Sequence, residues 1–310
     1  MSQHRHAPAA DTSATISAAM AEAMAAAGLE PGRSSSPVRL PRADLLFRHR
    51  AERLRSLAAG HRLSSWLAFM SQLSDAQHAL ASIPVEAPAA PGTRWLPDLE
   101  GLRDRLRGTL PATAESALAD LPWGDTESLN ATAARLLTGK ARQEDIGGAP
   151  FIVAALQIAW TRHAAGLEAG AVAASAVAGH CPVGGGAPVA GAIHTGMEIG
   201  GLRYLHCGLC HTAWHHVRSA CVACGEGNRI ELRLIEAGDA SGGGSGDPAR
   251  AETCETCNSY LKLFLMEKAP GLDPVADDLA SFALDILVGD EGFRRIGGNP
   301  FLAQAGEQAD

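Results

Sequence analysis

All seven cysteines of this 310-residue chain fall between Cys181 and Cys257, and six form three CxxC pairs: Cys207/Cys210, Cys221/Cys224 and Cys254/Cys257. A CxxC turn lets two thiolates converge on one tetrahedral cation. Two such turns complete a four-thiolate shell with Zn–S distances of about 2.3 Å. The seventh, Cys181, opens Cys181-Pro-Val-Gly184, which reads as a fourth CxxC whose second cysteine has become glycine. Taken in chain order, the turns alternate with short strand-rich segments, the layout of a zinc ribbon or rubredoxin knuckle pair used twice.

The two halves differ in their ligands. Cys221, Cys224, Cys254 and Cys257 supply a complete metal site, because repeated CxxC spacing is the pattern such sites require. Disulfides are the competing use, and a cytoplasmic chain without a secretory signal disfavours them. A redox CxxC would not come in triplicate, nor outside a βαβ context. Cys181, Cys207 and Cys210 supply only three thiolates, and Gly184 has no donor to add. His180, His206 and His211 sit beside these cysteines, so an imidazole or a water could fill the fourth position. Alternatively, packing alone holds a site that has lost its metal. All-thiolate tetrahedral shells accept Fe and Zn alike, so the choice between them stays open.

Hydrophobic residues make up 46% of the chain but aromatics only 5%, so its core must be built largely from aliphatic side chains. The net charge of −8 disfavours a general nucleic-acid binder, whose electrostatic footprint is basic. The most apolar run, Phe151–Trp160, is too short for the ~20 residues that cross a bilayer, so no membrane insertion is expected. Residues 1–37 are Ala- and Ser-rich without a continuous apolar core, and read as a largely disordered tail of a soluble cytoplasmic protein.

Residues 38–178 form an expected helical domain. Leu46, Phe47, Arg50, Leu54 and Leu57 fall near one face of a helix beginning at Asp44, with Arg48, Arg53 and Arg55 on solvated faces. A second helix spans 63–83, followed by an Ala/Pro-rich connection at 84–91. Three more are expected at 97–106, 112–121 and 126–138. Pro150 then starts a helix that is apolar nearly all round, which belongs in the centre of a bundle. Gln157 within it reads as a satisfied core amide.

The metal region divides into a first module at 179–218, with the incomplete ligand set, and a second at 219–265. Strands are expected at 189–195, 202–205 and 229–235, with a Gly/Ser loop at 241–246. Trp214 reads as a cover over the small ribbon core, and His215 and His216 as exposed strand residues. In the last segment, 266–310, Asp273 and Pro274 start a single helix reaching Leu287, with Leu279, Phe282, Ala283, Ile286 and Leu287 as its buried stripe. Asp277 and Asp278 lie in its early turns, where the helix dipole favours carboxylates over an acid/base role. The fold class is therefore α+β: an N-terminal helical domain, two tandem rubredoxin-like modules and a C-terminal helix.

Three stretches resemble the formate dehydrogenase accessory (formation) protein family, FdhE: Leu202-Arg-Tyr-Leu-His-Cys207, Ala251-Glu-Thr-Cys254 through Cys257-Asn-Ser-Tyr-Leu-Lys262, and Pro274-Val-Ala-Asp-Asp-Leu-Ala280. Weaker echoes occur at 46–51 and 154–157. The resemblance implies a cytoplasmic assembly factor, not an enzyme, that acts on the catalytic subunit of a respiratory formate dehydrogenase. It also implies four complete CxxC pairs, from which this chain departs at Gly184. Alternative uses of such modules are a tandem zinc-ribbon nucleic-acid or transcription factor and a rubredoxin-type electron carrier. The acidic charge weighs against the first, and the long helical domain is superfluous for the second.

Overall fold

The computed structural model describes residues 36–83, 91–92, 94–194, 201–235, 247–269 and 271–303. The expected tail through residue 35, most of the 84–91 connection and the Gly/Ser loop at 241–246 lie outside these residues. Six helices make up the first half: α1 Leu46–Ala58, α2 Ser64–Ala81, α3 Leu96–Leu106, α4 Ala112–Ala119, α5 Thr126–Leu137 and α6 Ala149–Ala165. Helix α6 packs against α2, α3 and α5. Its apolar circumference explains that central position, since Ile152, Ala154, Ala155 and Ile158 all reach full burial. Asp125 caps α5 by accepting from the Ser128 backbone N–H.

The second half is one mixed sheet. Its strands are β1 Val38–Arg39, β2 Pro188–His194, β3 Leu202–Cys207, β4 Ala213–His215, β5 Ile230–Arg233, β6 Ala249–Cys254, β7 Ser259–Leu265 and β8 Arg294–Arg295. They run in the order β1-β4-β3-β2-β7-β6-β5, with β8 added alongside β7. Each cysteine-bearing half contributes a three-stranded antiparallel meander. A parallel pairing of β2 with β7, Gly191 opposite Leu263 and Ile193 opposite Leu265, joins the two meanders. Neither this seam nor the addition of Val38–Arg39 to the sheet has a mark in the local sequence pattern. Val38 pairs with Trp214 on β4, and the Tyr204 hydroxyl donates to the Ser36 carbonyl at 2.9 Å. Across the seam, fully buried Arg203 on β3 holds both oxygens of Glu252 on β6 and donates to the Val217 and Ala220 carbonyls.

The C-terminal segment departs from expectation. Asp273 caps the helix as its position predicts, accepting from the Val275 and Ala276 N–H groups, but the helix breaks at Ser281. It becomes α7 Pro274–Ala280 and α8 Phe282–Asp290. The cause is Lys262 of β7, fully buried, whose ammonium takes the carbonyls of Asp278 and Ser281. The break turns the apolar face, so Leu284 and Val288 are buried while Ile286 and Leu287 stand about half exposed at 52% and 48%.

Asp277 accepts from the Asp273 N–H at 2.9 Å, as suits a carboxylate at a helix N-terminus, and both early acidic residues are also buried and charge-paired. Asp278 is buried between Lys262 and Arg295, and Asp277 pairs with Arg53, which therefore leaves the solvated face expected of it. Burial pushes the Asp277 carboxyl upward against the pull of Arg53.

Arg50 donates to Asp273 at 3.0 Å with both side chains buried, tying α1 to the cap of α7. Burial pushes the Asp273 carboxyl up, but Arg50, His49 and the backbone donors outweigh it and hold it below the usual range. A depressed folded value contributes stability that is present above the unfolded pKa of about 3.9 and is lost as pH falls through the folded value. Arg50→Met should therefore cost about 3–5 kcal/mol at neutral pH by leaving a buried carboxylate unpaired. In that variant burial raises the carboxyl, so the deficit in urea denaturation should narrow as pH drops toward about 4.

Candidate metal centres

Four tight turns place the seven cysteines, and the backbone repeats in each. Cys181 N–H donates to Gly186 O at 2.8 Å and Gly185 N–H to Cys181 O at 3.0 Å. In the third turn Cys221 N–H donates to Glu226 O at 2.7 Å and Gly225 N–H to Cys221 O at 2.9 Å. The residue after each turn adopts a left-handed conformation: Gly185 at φ 72°, His211 at 59°, Gly225 at 77° and Asn258 at 48°. His211 and Asn258 are the non-glycine residues with positive φ among the described residues, and the turn imposes it. The Cys181–Gly184 segment thus keeps the knuckle backbone although its second sulfur is gone.

Pairing adjacent strand ends brings the turns together. Cys221, Cys224, Cys254 and Cys257 form one group and Cys181, Cys207 and Cys210 another, with the sulfurs of each group within 4.8 Å of one another. In the four-sulfur group Cys221 and Cys257 approach to 3.7 Å, as do Cys224 and Cys254. Cys224 is exposed and Cys257 half-buried, so this group lies at the surface. The three-sulfur group is buried throughout and packs with Trp214, Leu205, Val222 and Leu261. Trp214 thereby covers the small core, as expected.

Either donor set suits a cation that prefers tetrahedral sulfur. Backbone N–H groups already point at the sulfurs, from Gly184 to Cys181 at 3.2 Å and from Leu209 and Cys210 to Cys207 at 3.4 Å. Donation from the neighbouring Cys207 and Cys210 thiols holds Cys181 down at about 3. Cys207 is pushed up chiefly by its hydrogen bond to Cys181, and burial pushes Cys210 up to about 12. Cys181 is therefore the thiol of the three most readily ionised. A divalent cation would stabilise all three as thiolates and release protons. In the other group, burial pushes Cys221 up to about 12. Cys254 settles at about 7, because the Cys257 and Thr256 N–H groups overcome its burial.

The histidines beside the first group go elsewhere. His206 and His211 line a small cavity with His49, Arg50, Asp273 and the edge of the first group at Cys207. The His211 Nδ1 lies 2.8 Å from the Thr161 hydroxyl and its ring meets Phe47 edge-on. Burial pushes His206 down to about 4 and holds His211 well below the usual imidazole range. His180 Nδ1 lies 3.2 Å from the Ala178 carbonyl. Among the described residues, no imidazole or carboxylate joins the three sulfurs within 4.8 Å.

The helical domain grips the second turn directly. Gln157 of α6 donates to Gly208 O at 2.7 Å, and its own oxygen accepts from Gln77 at 3.0 Å and Arg50 at 3.5 Å. Gln157 is thus the satisfied core amide expected, and Thr161 lies one helical turn further along α6. Gln157 and Thr161 both reach the Cys207–His211 turn, a contact that the local pattern does not specify. Their four-residue spacing was the available signal, but their partner lies 50 residues or so away and has no local mark.

An α+β scaffold carrying zinc-ribbon-like cysteine clusters compatible with metal binding is the class that this fold and these sites define. The family descriptions "FdhE, N-terminal" (residues 35–93 and 89–176), "FdhE, central domain" (180–218) and "FdhE, C-terminal domain" (219–302) match along the chain. It is 35% identical over 289 residues to the "Protein FdhE homolog" of Pseudomonas aeruginosa, covering 84% of this chain and 91% of that one. The homologue from Edwardsiella ictaluri is 36% identical over 289 residues, covering 86% and 91%. The crystal structure of the FdhE protein from Pseudomonas aeruginosa superposes with a TM-score of 0.76 at 34% identity, covering 87% of this chain and 99% of that one. The chain belongs to the FdhE family.

Exposure orders the thiols. In reduced, chelator-treated native protein, iodoacetamide should modify Cys224 first and Cys181, Cys207 and Cys210 last. Peptide mass spectrometry over time reads that order, and early modification of Cys210 would contradict the buried first group.

Proposed function

We propose that this protein is a cytoplasmic assembly factor for a respiratory formate dehydrogenase, binding the catalytic subunit during its maturation and not itself an enzyme. Membership of the FdhE family along nearly the whole chain is the observation that carries this reading. Among the described residues no helix is long and apolar enough to cross a membrane, which accords with action on a partner before its export. We assign Cys221, Cys224, Cys254 and Cys257 to one Fe or Zn site, and Cys181, Cys207 and Cys210 to a second, incomplete one. Residues 38–178, 179–218 and 219–265 are the domains of this reading.

The protein's own residues give the metals a mechanical role. Each cation would clamp two turns that lie side by side at one end of a three-stranded meander. Gln157 and Thr161 then pass the position of the Cys207–His211 turn to the helical bundle. A rigid sheet fused to a bundle presents a fixed surface to a folding partner, with chemistry left to that partner.

In a host deleted for its own homologue, this chain should restore formate dehydrogenase activity and co-purify anaerobically with the catalytic subunit. Formate oxidation by the isolated protein above a blank would overturn the non-enzymatic reading.

Cys254→Ser should lose the metal of the complete site and make residues 221–233 protease-sensitive while the helical domain stays folded. The binding free energy of a structural zinc, about 10–16 kcal/mol in isolated finger peptides, also folds the module that holds it. Unchanged metal content in that variant would rule the site out.

A further inference from the structure

Gly184 occupies the place of a fourth sulfur, and its surroundings show where such a sulfur would point. A Cβ built on Gly184 would lie 3.1 Å from the Cys207 sulfur, 3.2 Å from that of Cys210 and 3.7 Å from that of Cys181. Its three nearest neighbours are therefore the three thiols, two of them closer than ordinary contact, so the sulfurs must spread by about a few tenths of an ångström to seat a fourth donor beside them. Gly184 is half-buried, and both it and Cys207 line a groove of about 830 Å³ between the helical domain and the C-terminal segment. Leu156, Trp160, Leu209 and Ile296 give that groove apolar walls.

We propose that an exogenous thiolate, entering along this groove, completes the Cys181/Cys207/Cys210 metal site. This deepens the metal reading above and rests on it. The donor set selects the ligand. Three sulfurs favour a soft cation, and a soft cation favours a fourth sulfur over water. The apolar side chains of the groove accept the carbon stem of a thiol, while Asp285, Arg295 and Asn299 line another part of it. No imidazole of the described residues joins the three sulfurs within 4.8 Å, and His211 is engaged by the Thr161 hydroxyl. The incoming S–H gives its proton to solvent as its sulfur bonds the cation, with no change of oxidation state. The groove is far larger than a small thiol, so it also admits a cysteine carried in an extended apolar peptide.

The test uses the full chain, stripped of metal anaerobically and reloaded with Co²⁺ or Zn²⁺. It is titrated with 2-mercaptoethanol, with an apolar peptide containing one cysteine, and with the same peptide bearing serine. Either thiol should raise retention of the weaker metal against a chelator by about tenfold or more. X-ray absorption should show mean sulfur coordination rising from about 3.5 toward 4 as the thiolate-to-cobalt absorption grows. The serine peptide should do neither. Gly184→Cys should give the high-sulfur spectrum without added thiol and abolish the response. A peptide effective at about a tenth of the free-thiol concentration places the donor on a polypeptide, and equal potency makes it a free thiol. Two metals per chain whose spectrum ignores both thiols would overturn the proposal, as would one metal per chain at every thiol concentration. A chain that retains no metal at either group would instead overturn the metal reading itself.

Discussion

One buried amide sits where the two halves of this molecule meet. Gln157 sits fully buried at the centre of the bundle, receives hydrogen bonds from Gln77 and Arg50, and donates to the Gly208 carbonyl inside a cysteine turn. Breaking such a bond leaves several buried polar groups unsatisfied, each at a cost of about 1–3 kcal/mol. Arg50 extends the same chain of contacts to Asp273 and so to the start of α7. The bundle, the first cysteine group and the C-terminal helices thus meet in one polar network whose members depend on one another's positions.

The sheet repeats one solution twice and then joins the copies. Each meander ends in paired turns whose following residue is left-handed, which aims two backbone N–H rows at the sulfurs. The parallel β2–β7 seam makes the copies one surface, and the Arg203–Glu252 pair bridges it from β3 to β6. Arg203 and Glu252 both lie in motifs that mark the FdhE resemblance.

Buried charge is unusually concentrated behind the second meander. Lys262, Asp278, Asp285 and Arg295 pair in the interior, and Tyr260 donates to Asp285 at 2.9 Å. Interior ion pairs add little net stability over apolar packing, but they penalise alternative arrangements heavily. Here the penalty selects one arrangement of α7 and α8, because Lys262 consumes carbonyls that a continuous helix would have used.

Local pattern by itself determined a great deal: the helices through Ala165, the cysteine turns, the cap at Asp273, the core role of Gln157 and the α+β class. These features are written in spacings of two to four residues, where the chain's own geometry dictates the outcome. Tertiary structure decided what depends on partners far away in sequence. It joined the two meanders through β2 and β7, and drew Val38–Arg39 into the sheet. It took Arg53 and Asp277 out of solvent, broke the last helix at Ser281 and sent His206 and His211 away from the open position at Gly184. In each case a buried charge or an unpaired strand edge had to find its complement. Which complement it found depended on the assembled fold, because burial is what makes an unpaired polar group costly.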